Sequence, residues 1–342
     1  MSTIVVVCEA RGDDYRPATY ELLAQARRLV AGGDGGEVAG SEVVAVTAGD
    51  ETGLRARLDG LAHRVVAVTG DGLAPYSADA WVEALSAFLG GSAPGAPATD
   101  ASPAAAPAAG PRLVLFGESA RTRELLPRLA ARMGAWAVTN AVDLTADGAD
   151  LAVRRPVLGG KAYAVHAVGE GPVLAAFRPH SFSADAAAGL ATATEEIAAP
   201  AVTPRVTVLA TETGAARRVD LTEANVVVSG GRGMKGPDNF HLLEELAEAL
   251  EGAVGYSRAV VDAGQAEHAY QVGKSGKTVS PTLYVAAGIS GAIHHIMGMD
   301  TAKVVVAINT DPSAPIFGYA DYGIVGDALQ VLPALTEEIR RG

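Results

Sequence analysis

Short apolar runs that give way to helix-periodic blocks, again and again, constrain this chain more than any other feature. Ile4 to Cys8, Val43 to Thr47, Val65 to Thr69 and Leu113 to Phe116 are apolar without alternation, the pattern of strands covered on both faces. Ala18 to Val30, Gly53 to Ala62, Ala78 to Leu89 and Arg121 to Arg132 carry apolar residues at helical spacing. Strands that alternate with helices predict a parallel sheet with helices on either side. From Leu151 to Phe182 the pattern turns to alternation (Tyr163, Val165, Ala167, then Val173, Ala175, Phe177), which predicts antiparallel strands. A new strand and helix series begins at Asn225, after a weakly patterned stretch broken by Pro200 and Pro204.

The 342 residues are enough for two cores. The expected architecture is α/β with two domains, each a mainly parallel sheet flanked by helices: an N-terminal domain over 1–200, a linker over 201–222 and a C-terminal domain over 223–342. From Gly91 to Pro111 the chain uses only Ala, Pro, Gly, Ser, Thr and Asp, so a mobile surface insertion is expected there.

Charge and cysteine content narrow the function. Lys and Arg total 27 against 39 Asp and Glu, a net charge of −12, with no basic cluster of the kind that nucleic-acid binding needs. Cys8 is the single cysteine, which leaves no disulfide, CxxC pair or multi-thiolate metal site within one chain. Strand-like residues already at Ile4 leave no room for a signal peptide. The longest apolar stretch, Leu283 to Ile293, is interrupted by Gly288, Ser290 and Gly291 and falls short of the ~20 residues that span a bilayer. A cytoplasmic protein with no membrane insertion is expected.

Four segments could carry chemistry. Gly231-Arg232-Gly233-Met234-Lys235-Gly236 has GxGxxG spacing between the strand Val226 to Ser229 and a predicted helix from Asp238 to Leu250, and a further strand, Arg258 to Val261, would end at Asp262. That set suits an NAD-dependent oxidoreductase, with the glycines at a pyrophosphate and Asp262 at a ribose. A glycine-rich turn capped by Asp238 or Asn239 explains the same residues equally well. Gly273-Lys274-Ser275-Gly276-Lys277-Thr278 ends like a P-loop, but Gln271 stands where the motif needs glycine, so an NTPase is rejected. Gly288 to His295 follows the strand Leu283 to Ala287 through small residues, an arrangement that can cradle phosphate. The adjacent His294 and His295 would point about 100° apart on a helix, which disfavours a shared metal. Asn309 and Asp327 fall at the ends of predicted strands, Lys303 to Ile308 and Ile316 to Tyr319, where parallel sheets bind ligands.

Read in order, Val226-Val-Val-Ser-Gly-Gly-Arg-Gly-Met234, Gly255-Tyr-Ser-Arg258, Val261-Asp-Ala-Gly264, Gln271-Val-Gly273, Ser275-Gly-Lys277, Leu283-Tyr284, Gly288-Ile-Ser-Gly-Ala-Ile293, His295, Gly298-Met299, Ala314-Pro-Ile-Phe317 and Asp321-Tyr-Gly-Ile-Val325 resemble the alpha subunit of electron transfer flavoproteins, the FixB-like family. The first half resembles it more loosely, through Val5-Val-Val-Cys-Glu9, Ala18-Thr19 and Leu126-Pro-Arg-Leu-Ala130.

The resemblance implies FAD in a Rossmann-like C-terminal domain and a heterodimer with a beta subunit. It implies an electron carrier between a dehydrogenase donor and a redox acceptor, with no bond-making chemistry of its own. On this sequence, Arg232 and Ser257 would meet the diphosphate and adenosine side, Arg258 would lie against the isoalloxazine ring, and Ser275 would donate to flavin N5. Gln271, Val272, Gly273, Lys274 and Ser275 would wrap the cofactor from one side. Ser290, Gly291, Ala292, Ile293, His294 and His295 would wrap it from the other, with His295 near flavin O2. Asn309 and Asp327 would hold the ribityl-adenosine part, and Gly288 and Ala328 complete the set. Arg258 and a protonated His295 would favour negative charge on the reduced ring. Many members have Gln-Thr where this chain has Lys274-Ser275, and Gln where it has His294; Lys274 is expected to raise the flavin potential. A subunit that keeps the fold without flavin is a third reading, against which Arg258, Ser275 and His295 speak.

Overall fold

A computed structural model describes residues 3–31, 41–49, 53–90, 113–147, 150–169, 171–185, 189–210 and 220–341. The insertion expected over 91–111 lies outside the described residues. The chain divides into two compact units, Met1–Pro156 with Tyr163–Thr213, and Val157–Ala162 with Gly214–Gly342.

The first unit is built from β1 (Thr3–Val7), α1 (Pro17–Ala31), β2 (Glu42–Ala48), β3 (Arg64–Thr69), α2 (Ala78–Phe88), β4 (Leu113–Gly117), α3 (Ala120–Met133), β5 (Trp136–Ala141), β6 (Asp143–Asp147), β7 (Asp150–Val157), β8 (Ala162–Val168), β9 (Val173–Phe177) and β10 (Ala193–Ala198). Seven strands form one sheet in the order β10-β3-β2-β1-β4-β9-β5. Its central strands β1, β4 and β9 are almost wholly apolar because both faces are covered: Ile4, Val6 and Cys8 join one core, Val5 and Val7 the other. β6, β7 and β8 form a small separate sheet, in which β6 and β7 run antiparallel.

Three expectations fail in this unit. Val173 to Phe177 is not an antiparallel strand; it lies parallel between β4 and β5 with all five residues buried, because Leu174 and Ala176 fill the second face. Gly53 to Ala62 is not a helix beyond one 3-10 turn at Arg55–Leu58. The edge strand β10 was not foreseen, since its residues are mostly exposed and polar.

The second unit contains β11 (Val226–Gly230), α4 (His241–Ala249), β12 (Ala253–Ser257), α5 (Arg258–Asp262), β13 (Gln271–Val272), β14 (Leu283–Ala287), α6 (Ile293–Ile296), β15 (Val304–Asn309), β16 (Tyr322–Val325) and α7 (Ala328–Arg341). All strands are parallel, in the order β13-β12-β11-β14-β15-β16. The chain builds outward from β11 on one side, then crosses to β14 on the other. That reversal opens a crevice beyond the carboxyl ends of β11 and β14, where such sheets take their ligands.

Two boundaries here correct the sequence reading. Arg258 to Val261 is a helical turn, not a strand, so Asp262 does not stand at a strand end. Ile316 to Tyr319 belongs to a 3-10 segment, Pro315–Tyr319, and the edge strand is Tyr322–Val325. No helix among the described residues is long and apolar enough to cross a membrane.

Candidate functional site

The crevice of the second unit has a volume of about 640 Å³. The loops that follow five successive strand ends make its walls, so residues far apart in sequence meet there: Arg232, Ser257 and Arg258, Ser275, Ser290, His294 and His295, and Asn309.

Glycine lets these loops close on one another. A Cβ on Gly233 would lie 2.6 Å from the Gly288 Cα, and one on Gly231 would overlap the Gly288 carbonyl. The Gly231 and Gly233 amides donate to the Ala287 and Gly288 carbonyls at 2.9 and 3.0 Å. Spacing that reads as a pyrophosphate loop is therefore explained by loop-to-loop packing, and two of its amides are already committed. Asp262 pairs with Arg258 at 3.1 Å, both side chains being largely exposed. Gly231, Gly233 and Asp262 all line the crevice, but Asp262 stands on a helical turn and not at the strand end that the NAD reading expects.

Ser275 is oriented from behind. Gln271, fully buried at the start of β13, donates its side-chain amide to the Ser275 hydroxyl oxygen at 3.0 Å. With a lone pair held in this way, the hydroxyl proton remains available to an acceptor in the crevice. Gln271 itself does not line the crevice, so its place is behind the serine.

His295 is 7% exposed, and its Nε2 lies 2.8 Å from the hydroxyl of Tyr284, a wholly buried residue of β14. Burial pushes the imidazole down to about 4, opposed in part by the Val272 backbone, so the ring is neutral at physiological pH. Burial thus disfavours the protonated His295 expected from the sequence. Its Nδ1 is buried with no hydrogen-bond partner among the described residues.

Other candidates fall into two groups. Val272, Gly273, Gly288 and Ala292 line the crevice with the polar residues above, and Asn309 donates its amide to the Ile289 carbonyl at 2.9 Å. Lys274 is exposed on the same loop without lining the crevice, as is Ile293; Gly291 is packed against the Ile316 backbone. Asp327 is held by Lys235 at 2.7 Å and accepts the Leu329 amide at 3.1 Å, and Ala328 is buried in the core under α7. The expected phosphate cradle at Ser290 to Ala292 precedes a helix of only four residues, Ile293–Ile296, so little dipole lies behind it. Ala259 and Ile289 also line the crevice, and sequence reasoning gave no role to Tyr284 or Ser229. A tyrosine in an apolar strand carries no signal beyond packing.

The residues present fit a flavin nucleotide: hydroxyls, two guanidinium groups, close-packed glycine loops and a buried unpartnered nitrogen at the switch point of the sheet. Comparison with known proteins agrees. Residues 220–300 match the family model described as the electron transfer flavoprotein FAD-binding domain, and residues 4–205 match that of the electron transfer flavoprotein domain. An electron transfer flavoprotein subunit alpha of Bacillus subtilis is 35% identical, with 99% of this chain and 97% of that protein covered. Its counterpart in Syntrophomonas wolfei is 36% identical with 98% of each covered, and the FixB protein of Clostridium saccharobutylicum is 33% identical with 98% and 95% covered. With both units matched and the crevice inside the FAD-binding model, this chain belongs to the electron transfer flavoprotein alpha-subunit family.

Proposed function

We propose that the second unit holds FAD in the crevice beyond β11 and β14, and that the chain carries electrons from a dehydrogenase to a downstream redox acceptor as one half of a heterodimer with a beta subunit. The observation that carries this reading is the buried, unpartnered Nδ1 of His295, a residue lining a crevice otherwise ringed by hydroxyl and guanidinium groups. When bound, the flavin supplies the redox centre. The chain's own residues bind and orient it: Arg232 and Arg258 offset negative charge, Ser275 presents a hydroxyl proton aligned by Gln271, and His295 presents a neutral imidazole. Gly273 and Gly288, both at positive φ, bring backbone close to the ligand.

Residues 223–342 are the cofactor-bearing domain in this reading, 201–222 the link and 1–200 the first domain. Lys274 adds positive charge at the rim and raises the flavin potential. The cytoplasm is the compartment in this reading, and a chain with a single buried cysteine suits it.

The test is the visible spectrum of the chain purified with its beta partner. Flavin absorption bands are expected. A colourless protein that binds NADH would overturn the reading in favour of an NAD enzyme, and a colourless protein that binds neither would leave a fold without a carrier. Lys274→Gln is expected to lower the midpoint potential in a potentiometric titration.

A further inference from the structure

His295 is a ring with two nitrogens in two different surroundings, and a neutral imidazole protonates only one of them. Nε2 points inward to the Tyr284 hydroxyl at 2.8 Å, while Nδ1 has no hydrogen-bond partner among the described residues. Tyr284 on β14 is 0% exposed, and so is Ser229 on β11. The parallel pairing sets Ser229 level with Ala286, two residues from Tyr284 and on the same face of the sheet. The Ser229 hydroxyl is buried beside Tyr284 but makes no hydrogen bond among the described residues, so the bond of the Tyr284 hydroxyl is the one to His295.

We propose that the buried Tyr284 hydroxyl fixes His295 as the tautomer protonated on Nδ1, which makes Tyr284 the positioning residue for the imidazole at the cofactor crevice. The proposal rests on the flavin reading of the crevice.

The direction of the bond follows from what each end can do. If Nε2 carried the proton, it would donate to Tyr284, and Nδ1 would present a bare lone pair to the crevice. In the opposite sense, Tyr284 donates to Nε2, and Nδ1–H is left to meet an acceptor. The first sense would leave the proton of a wholly buried phenol with no acceptor among the described residues, at the full cost of an unmade bond, whereas the second satisfies it. A flavin suits this arrangement, because the pyrimidine edge of its ring is rich in acceptors.

The experiment uses the full chain with FAD and its beta partner, labelled with ¹⁵N-histidine, with the His295 signals assigned by their loss in His295→Gln. Wild type is expected to show a protonated Nδ1 and an unprotonated Nε2, with or without FAD. Tyr284→Phe, which keeps the ring packing, is expected to mix the two tautomers and to weaken FAD binding about fivefold, the loss of one net hydrogen bond. The wild-type tautomer is read without any substitution, so it carries the test if Tyr284→Phe does not fold. A wild-type His295 protonated on Nε2 overturns the proposal. So does a Tyr284→Phe protein whose tautomer and FAD affinity match wild type. A wild-type protein that takes up no FAD overturns the flavin reading alone, since the tautomer is still read.

Discussion

An imidazole buried without a counter-charge makes its own protonation a load on the fold. His295 titrates at about 4 in the folded chain against 6.5 when exposed, so between those values the unfolded chain binds more protons and stability falls as pH drops. The gap corresponds to about 3 kcal/mol, fully present above pH 6.5 and lost towards pH 4. Urea unfolding of the second unit across that range should show the slope, and His295→Gln should flatten it. Glycine positions separate strain from contact. Gly264 has φ +70° with open space around it, so Gly264→Ala should cost about 1 kcal/mol. Gly291 has φ +85° and packs on the Ile316 backbone, so Gly291→Ala should cost about 3 kcal/mol by the same measurement. At this scale the sequence was most legible where chemistry is local. Ser275 and His295 line the crevice, whereas Gln271, Asp327 and Ala328 do not: Gln271 turns its amide to Ser275 on the same loop, Asp327 is held by Lys235 from far along the chain, and Ala328 packs into the core.

Helix starts and strand ends behave less predictably than single residues. Ser119 caps α3 by accepting the Thr122 amide at 3.0 Å, and its hydroxyl donates to Glu9 at 2.6 Å. Ser119→Ala should lower stability by about 1 kcal/mol in thermal or urea unfolding. Ser119→Asp should not recover it, although Asp is a good cap, because its charge would face the Glu9 carboxylate. Two-faced strands such as β1, β2 and β11 were legible because continuous burial leaves mostly apolar residues. Short elements were not. Arg258 to Val261 reads as a strand from its apolar residues, but only Val260 is buried, and one buried residue suits a helical turn as well as a strand. β10 pairs with β3 through six register pairs while its side chains face outward, so its backbone hydrogen bonds leave no mark on composition.

At the scale of the whole chain, two units with separate cores should respond separately to ligand. Added FAD should raise only the transition of the second unit in calorimetry, by about 2.7 kcal/mol at a hundredfold excess over the dissociation constant. A shift of both transitions, or of neither, would contradict a site confined to one unit. The alternation of strands and helices made this α/β organisation legible, because covering a sheet on both faces is a requirement of the whole layer. The antiparallel reading of Val173 to Phe177 failed at the same scale: which neighbours a strand acquires depends on chain far away in sequence. The contact of Gly231 and Gly233 with Gly288 also has a consequence in time. Their amides are tied to carbonyls of the neighbouring loop, and no side chain stands between the two backbones to give way. These amides should therefore exchange with deuterium only when the sheet itself opens, which would make them among the slowest clocks of the second unit, at the mouth of its binding crevice.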